Sequence, residues 1–121
     1  MQKLTFSGRL KSISYALEGL WLMLSTQPNA WIHFVATILV ISGGMYFEIS
    51  RTDWAIVTIT IVSVWVAETI NTAFEYLCDV TNPDYHPVVK KAKDVSAAAV
   101  LISAIGAVIV GLIIFLPYIV H

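Results

Sequence analysis

Four residues of this 121-residue chain have the types and spacing to do chemistry: Glu68, Asn71, Glu75 and Asp79. On an α-helix they fall at about 0°, 300°, 340° and 20° around the axis, with Thr72 on the flank. One narrow stripe thus bears carboxylates and an amide over ~16 Å of helix. The run that carries them is otherwise apolar and free of charge from Trp54 through Ala67. Like charges this close on a lipid-facing helix are strongly unfavourable and need water, cations or proton uptake to persist. Depth sorts the set. Asp79 and Glu75 lie toward the end of the apolar run, and Glu68 is deepest. A crowded carboxylate at that depth suits a general base. Glu75, nearer water, suits a hard cation such as Mg²⁺ held through oxygen. A solvated acidic helix end would account for Asp79 and in part for Glu75, but not for Glu68.

A turn-rich segment, Val80-Thr-Asn-Pro-Asp-Tyr-His-Pro87, follows the stripe, and then the basic run Val88-Val-Lys-Lys-Ala-Lys-Asp94. The lysines could meet anionic lipid headgroups or neutralise nucleotide phosphates. His86 reads as a loop residue or nucleotide contact, and His33, near the start of an apolar run, as structural. Neither the P-loop pattern nor the dinucleotide glycine pattern is present, so any use of ATP proceeds without them. The single cysteine, Cys78, excludes an internal disulfide framework and reads as an inert buried thiol.

These residues need a membrane around them. Of the chain, 58% is hydrophobic and 12% charged, with mean hydropathy +0.79. A soluble domain averages about 45–50% apolar and about 25% charged, so too few ionisable groups remain to cover a water-soluble globule. Net charge −1 and pI 6.2 give no reason to expect nucleic acid as a partner. The expected architecture is all-α, one integral-membrane domain over 1–121. Three transmembrane helices of ~20 residues or more fit over 30–47, 54–78 and 95–117. Glu48 to Asp53 forms a polar turn in which Thr52 or Asp53 could cap the next helix.

Residues 8–25 differ. Leu10, Ile13, Leu17, Leu20, Trp21 and Leu24 share one face, opposite Lys11, Ser12, Ser14, Glu18 and Gly19, which predicts an amphipathic helix lying in the membrane interface. Glu18 splits the apolar region that a signal peptide would need. Six of the seven basic residues precede the first span or lie between the second and third, with Arg51 alone in the other loop. The N-terminus and the 79–93 loop are therefore expected in the cytoplasm and the C-terminus outside. Ala99, Ser103, Ala107 and Gly111 form a small-residue stripe suited to close helix packing, within the chain or against a second copy. Gly43-Gly44 reads as a packing or flexible point. Taken alone, the residues leave open an enzyme, a small oligomeric proton-coupled transporter using Glu68, or a non-catalytic subunit. The transporter reading gives no role to the spacing of Asn71, Glu75 and Asp79, or to Lys93-Asp94.

Glu68-Thr-Ile-Asn-Thr-Ala-Phe-Glu75, then Asp79, the Tyr85-His86-Pro87 loop and Ala92-Lys-Asp-Val-Ser-Ala-Ala-Ala-Val-Leu101 together resemble the prokaryotic diacylglycerol kinase family, which includes the undecaprenol kinases of Gram-positive bacteria. The likeness covers essentially the whole chain. It implies an ATP- and Mg²⁺-dependent lipid kinase of the bacterial cytoplasmic membrane, homotrimeric, with active sites shared between subunits. By position, Glu68 would be the catalytic base and Glu75 a metal ligand that also contacts ATP. Asn71 and Asp79 would shape the site, and Tyr15, Asp84, Tyr85, His86, Lys93 and Asp94 would contact ATP. The acceptor would be undecaprenol or diacylglycerol. Pro87 and the terminal Gly111-Leu-Ile-Ile-Phe-Leu-Pro117 look more like the undecaprenol branch.

Two departures stand out. The family's N-terminal arginine is displaced relative to Lys11, so Arg9 is not carried over as an ATP contact. The glutamate that family members usually place before the first span, sharing the metal, is here Gln27. An amide oxygen can ligate Mg²⁺ but holds a hard cation less tightly than a carboxylate. Gln27→Glu should therefore lower the Mg²⁺ concentration needed for half-maximal activity. An unchanged Mg²⁺ titration in that variant would remove Gln27 from the metal shell.

Overall fold

The structure is a computed structural model that describes residues 4–120. Its elements are α1 (Phe6–Thr26), α2 (Pro28–Phe47), α3 (Arg51–Thr81) and α4 (Pro87–Val120). The last three are long and apolar enough to cross a membrane, with mean hydropathies of 1.6, 1.5 and 3.0, while α1 is not a span. The protein is an all-α, multi-pass membrane bundle.

Local chemistry sets the helix ends. The Thr5 hydroxyl accepts from Gly8 N at 3.0 Å and starts α1. Gln27 alone separates α1 from α2, and Pro28 suits the first position of α2 because its missing N–H has no helical partner there. Glu48 closes α2 in the left-handed conformation (φ 51°, ψ 54°), its N–H turned back to the carbonyls of Gly44 and Met45. The cap of α3 is Ser50, not Thr52 or Asp53: its hydroxyl accepts from Asp53 N at 3.1 Å. The Asp53 carboxylate is thereby free to accept from Tyr118 Oη at 3.1 Å, pinning the far end of α4 to the start of α3. The turn before α4 is shorter than the sequence suggests. Pro87 opens the helix, Lys90 N donates to His86 O at 3.0 Å, and His86 Nδ1 accepts from Val88 N at 3.1 Å. The basic run 88–94, expected within the loop, is therefore the first turns of α4.

The helices pack as the bilayer requires. α3 and α4 make the most extensive contact, and Ile49, Val57 and Ile114 form a buried cluster walled by Phe47, Trp54, Phe115 and Tyr118. Outward aliphatic side chains such as Ile59, Ile102 and Ile113 remain exposed for lipid. Thr58, Thr60, Ser63 and Thr69 each donate their hydroxyl to the carbonyl four residues back, so they present no free donor to hydrocarbon. α1 is held to the bundle through its last two turns. There Thr26 Oγ1 lies 3.4 Å from Tyr76 Oη, and the sulfur of Met23, 2% exposed, lies 3.6 Å from Thr69 Oγ1. Its Leu10, Ile13, Leu17 and Trp21 are left uncovered, as an interfacial helix needs. Within the chain the small-residue stripe of α4 is not a close contact at Gly111, where an added Cβ would meet nothing within 4 Å.

The two adjacent glycines of α2 differ. A Cβ on Gly44 would come 2.7 Å from Trp54 Cη2 and 2.8 Å from its Cζ2, whereas one on Gly43 would come no nearer than 3.4 Å to Phe115. Gly44 thus lets the indole lie against the α2 backbone. Gly44→Ala should destabilise the solubilised protein by about 1–3 kcal/mol through overpacking. Gly43→Ala should leave thermal unfolding in the same detergent close to that of the parent. Equal behaviour of the two variants would contradict this packing.

Candidate functional site in the membrane wall

α3 lays out the acidic stripe from its buried middle to its exposed end. Glu68 is 1% exposed, Asn71 6%, Glu75 half-buried and Asp79 exposed. Each buried polar member is met by a different helix. From α2, His33 brings Nε2 to 3.3 Å from Glu68 Oε2. From α4, Ser96 Oγ donates to Asn71 Oδ1 at 2.8 Å. At the exposed end, Lys93 Nζ donates to Asp79 Oδ1 at 2.6 Å. Lys90 and Asp94 form an exposed pair one helical turn apart, which contributes little to stability.

The His33 ring meets the Trp65 ring edge to face at 6.1 Å, and Trp65 Nε1 donates at 3.0 Å to Thr37 Oγ1, which itself donates to the main-chain carbonyl of His33 at 2.7 Å. Two clefts open beside this group. One, of about 360 Å³, runs between α2, α3 and α4 from His33 past Val40 and Ala107 to Phe115. The other, of about 210 Å³, has Asn29, His33, Asn71 and Ala97 in its wall. His33 lines both and Glu68 lines neither. The hydroxyl of Thr72, 5% exposed, has no hydrogen-bond partner and lies on the same stretch of α3.

The other expected site residues are placed less tightly. Gln27 forms the elbow between α1 and α2, its N–H donating to Met23 O and its carbonyl accepting from Ala30 N at 3.1 Å. The Thr26–Tyr76 contact brings this elbow beside the turn of α3 that carries Glu75. Asp84, Tyr85 and His86 lie in the connection before α4, and His86 also caps that helix. Tyr15 is exposed on α1, before the turns that touch the bundle. His33 and Ser96 are the partners that spacing along the chain does not reveal. Each meets its target across 35 and 25 residues, respectively.

Among the described residues, no group of three or more His, Cys, Asp or Glu side chains is gathered to cage an ion. Glu75 and the side-chain amide of Gln27 carry oxygens of the type a hard cation takes.

The structure is a short helical membrane bundle whose acidic stripe runs from the buried middle of α3 to its exposed end. The family model for prokaryotic diacylglycerol kinase matches residues 14–115. Undecaprenol kinase of Bacillus subtilis (strain 168) is 36% identical over 107 residues, 88% of this chain and 87% of that protein. Diacylglycerol kinase of Synechocystis is 38% identical over 109 residues, 89% of this chain and 62% of that protein. Diacylglycerol kinase of Escherichia coli (strain K12) is 27% identical over 104 residues, 86% and 85% of the two chains. The chain belongs to the prokaryotic diacylglycerol kinase family of small integral-membrane lipid kinases.

Ser96→Ala should leave the buried Asn71 amide oxygen without its donor, at about 1–3 kcal/mol of stability. Thermal unfolding in detergent reads this directly. A variant as stable as the parent would show that the Ser96–Asn71 bond does not hold α4 to the site.

Proposed function

We propose that the protein transfers the γ-phosphoryl group of ATP to the hydroxyl of a membrane lipid alcohol, undecaprenol first and diacylglycerol second, at the cytoplasmic face of the bacterial inner membrane. The observation that carries this reading is the carboxylate of Glu68, 1% exposed on a membrane-spanning helix of a chain in a lipid-kinase family. A charge there has no structural use that an apolar residue would not serve better. Glu68 is the base to which the acceptor proton goes. The hydroxyl oxygen then bonds to the γ-phosphorus as the bond to ADP breaks, its electron pair leaving with ADP. Such transfer asks mainly for in-line positioning and charge stabilisation.

The other residues divide the remaining work. Glu75, with Gln27, holds Mg²⁺, whose charge when bound offsets that of the phosphates. Lys93 is paired with Asp79 at the stripe's water-facing end, where nucleotide phosphates would lie. Asp94, Asp84, Tyr85, His86 and Tyr15 complete the ATP contacts, and Asn71 and Asp79 shape the site. The N-terminus and the α3–α4 turn face the cytoplasm and the C-terminus faces outward, following the basic residues. The working unit is a homotrimer whose sites are shared between subunits.

Glu68→Gln should abolish turnover while MgATP binding persists. Glu75→Gln should weaken MgATP binding itself. Nucleotide binding measured beside turnover separates the two, and equal loss of binding in both variants would overturn this division of labour.

A further inference from the structure

We propose that His33 is the group that meets the acceptor hydroxyl, and that it relays the hydroxyl's proton to Glu68. This rests on the lipid-kinase reading and specifies how the proton reaches its base. Three observations carry it. First, the base is covered: Glu68 is 1% exposed and lines neither cleft beside the site, whereas His33, 12% exposed, lines both. A hydroxyl arriving along the apolar cleft with its tail among Val40, Ala107 and Phe115 reaches the imidazole before the carboxylate.

Second, the contact sorts the ring nitrogens. Nε2 lies 3.3 Å from Glu68 Oε2, so in the relay Nε2 carries the hydrogen given to the carboxylate and Nδ1 is the nitrogen left to accept. Nδ1 can then accept a proton while Nε2 releases one. Third, the Trp65 ring packs edge to face against the imidazole at 6.1 Å, which limits its rotation.

The step balances. The acceptor O–H bond breaks as an Nδ1–H bond forms, and the Nε2 hydrogen passes to Glu68 Oε2. The freed oxygen pair bonds to the γ-phosphorus, and the phosphorus–oxygen bond to ADP breaks with its electrons leaving on ADP. After the lipid phosphate departs, Nδ1 gives its proton to water and Glu68 returns its own to Nε2.

The test compares His33→Gln and His33→Ala with the parent and with Glu68→Gln, in mixed micelles holding undecaprenol or diacylglycerol. Glutamine at 33 can still donate an N–H to Glu68 but cannot pass a proton through. Both His33 variants should lose at least ~100-fold in kcat, the span typical of a lost acid–base group. Their KM for MgATP should stay within about twofold, because the nucleotide end of the site is untouched. Added imidazole should restore part of the His33→Ala rate, and pyrazole, of the same size but far less basic, should not. The relay is overturned if His33→Gln keeps more than about a tenth of the parental kcat. Equal rescue by the two azoles, absence of rescue, or loss of MgATP binding in His33→Gln would assign the residue to packing and overturn it as well. An active Glu68→Gln would instead sink the lipid-kinase base. An inactive Glu68→Gln beside an active His33→Gln sinks the relay alone.

Discussion

A carboxylate sealed inside a membrane wall has to be answered by its neighbours, and in this protein that requirement organises the bundle. An unpaired charge in hydrocarbon costs several kcal/mol, so Glu68 needs a partner with a proton to share. α2 supplies it in His33, and α2 is held in place by the Thr37–Trp65 bond and by an end that closes on Gly44 against Trp54. α4 answers the next polar residue through Ser96, then anchors its far end through Tyr118 and Asp53. The apolar contacts at that far end, among Ile49, Val57 and Ile114, contain no polar group to satisfy and serve as the passive anchor.

The stripe on α3 is graded, and the grading matches a division of labour along the membrane normal. Burial falls from Glu68 through Asn71 and Glu75 to Asp79, so one helix carries a dry end and a wet end, and the proposed proton and ionic chemistry divide between them. At the wet end the exposed Asp79 pairs with the half-buried Lys93. The elbow at Gln27 brings the start of α2 beside Tyr76 of α3.

Much of this was legible in the sequence because the bilayer allows few solutions. Apolar runs long enough to cross a bilayer predict spans over 30–47, 54–78 and 95–117, and α2, α3 and α4 are the three long apolar helices. The stripe was visible because 3.6-residue periodicity aligns Glu68, Asn71, Glu75 and Asp79 without knowledge of any partner. The partners were not. His33 read as structural because a lone histidine at the head of a span carries no sign of the carboxylate 35 residues away. Ser96 was hidden among the alanines around it. The start of α4 was misplaced for a local reason: its first turns are polar and basic, and the signals that begin the helix are a proline and the imidazole of His86. Ser50 caps α3 one residue before the helix begins, and the Asp53 carboxylate is used instead in a tertiary contact with Tyr118.

The most direct test of the central claim is phosphate transfer from γ-labelled ATP to lipid in mixed micelles, with undecaprenol and diacylglycerol offered separately. The account predicts label in a lipid phosphate, formed in step with ADP and requiring the carboxylate at position 68. ADP formed without labelled lipid, or labelled lipid formed equally well by Glu68→Gln, would contradict it.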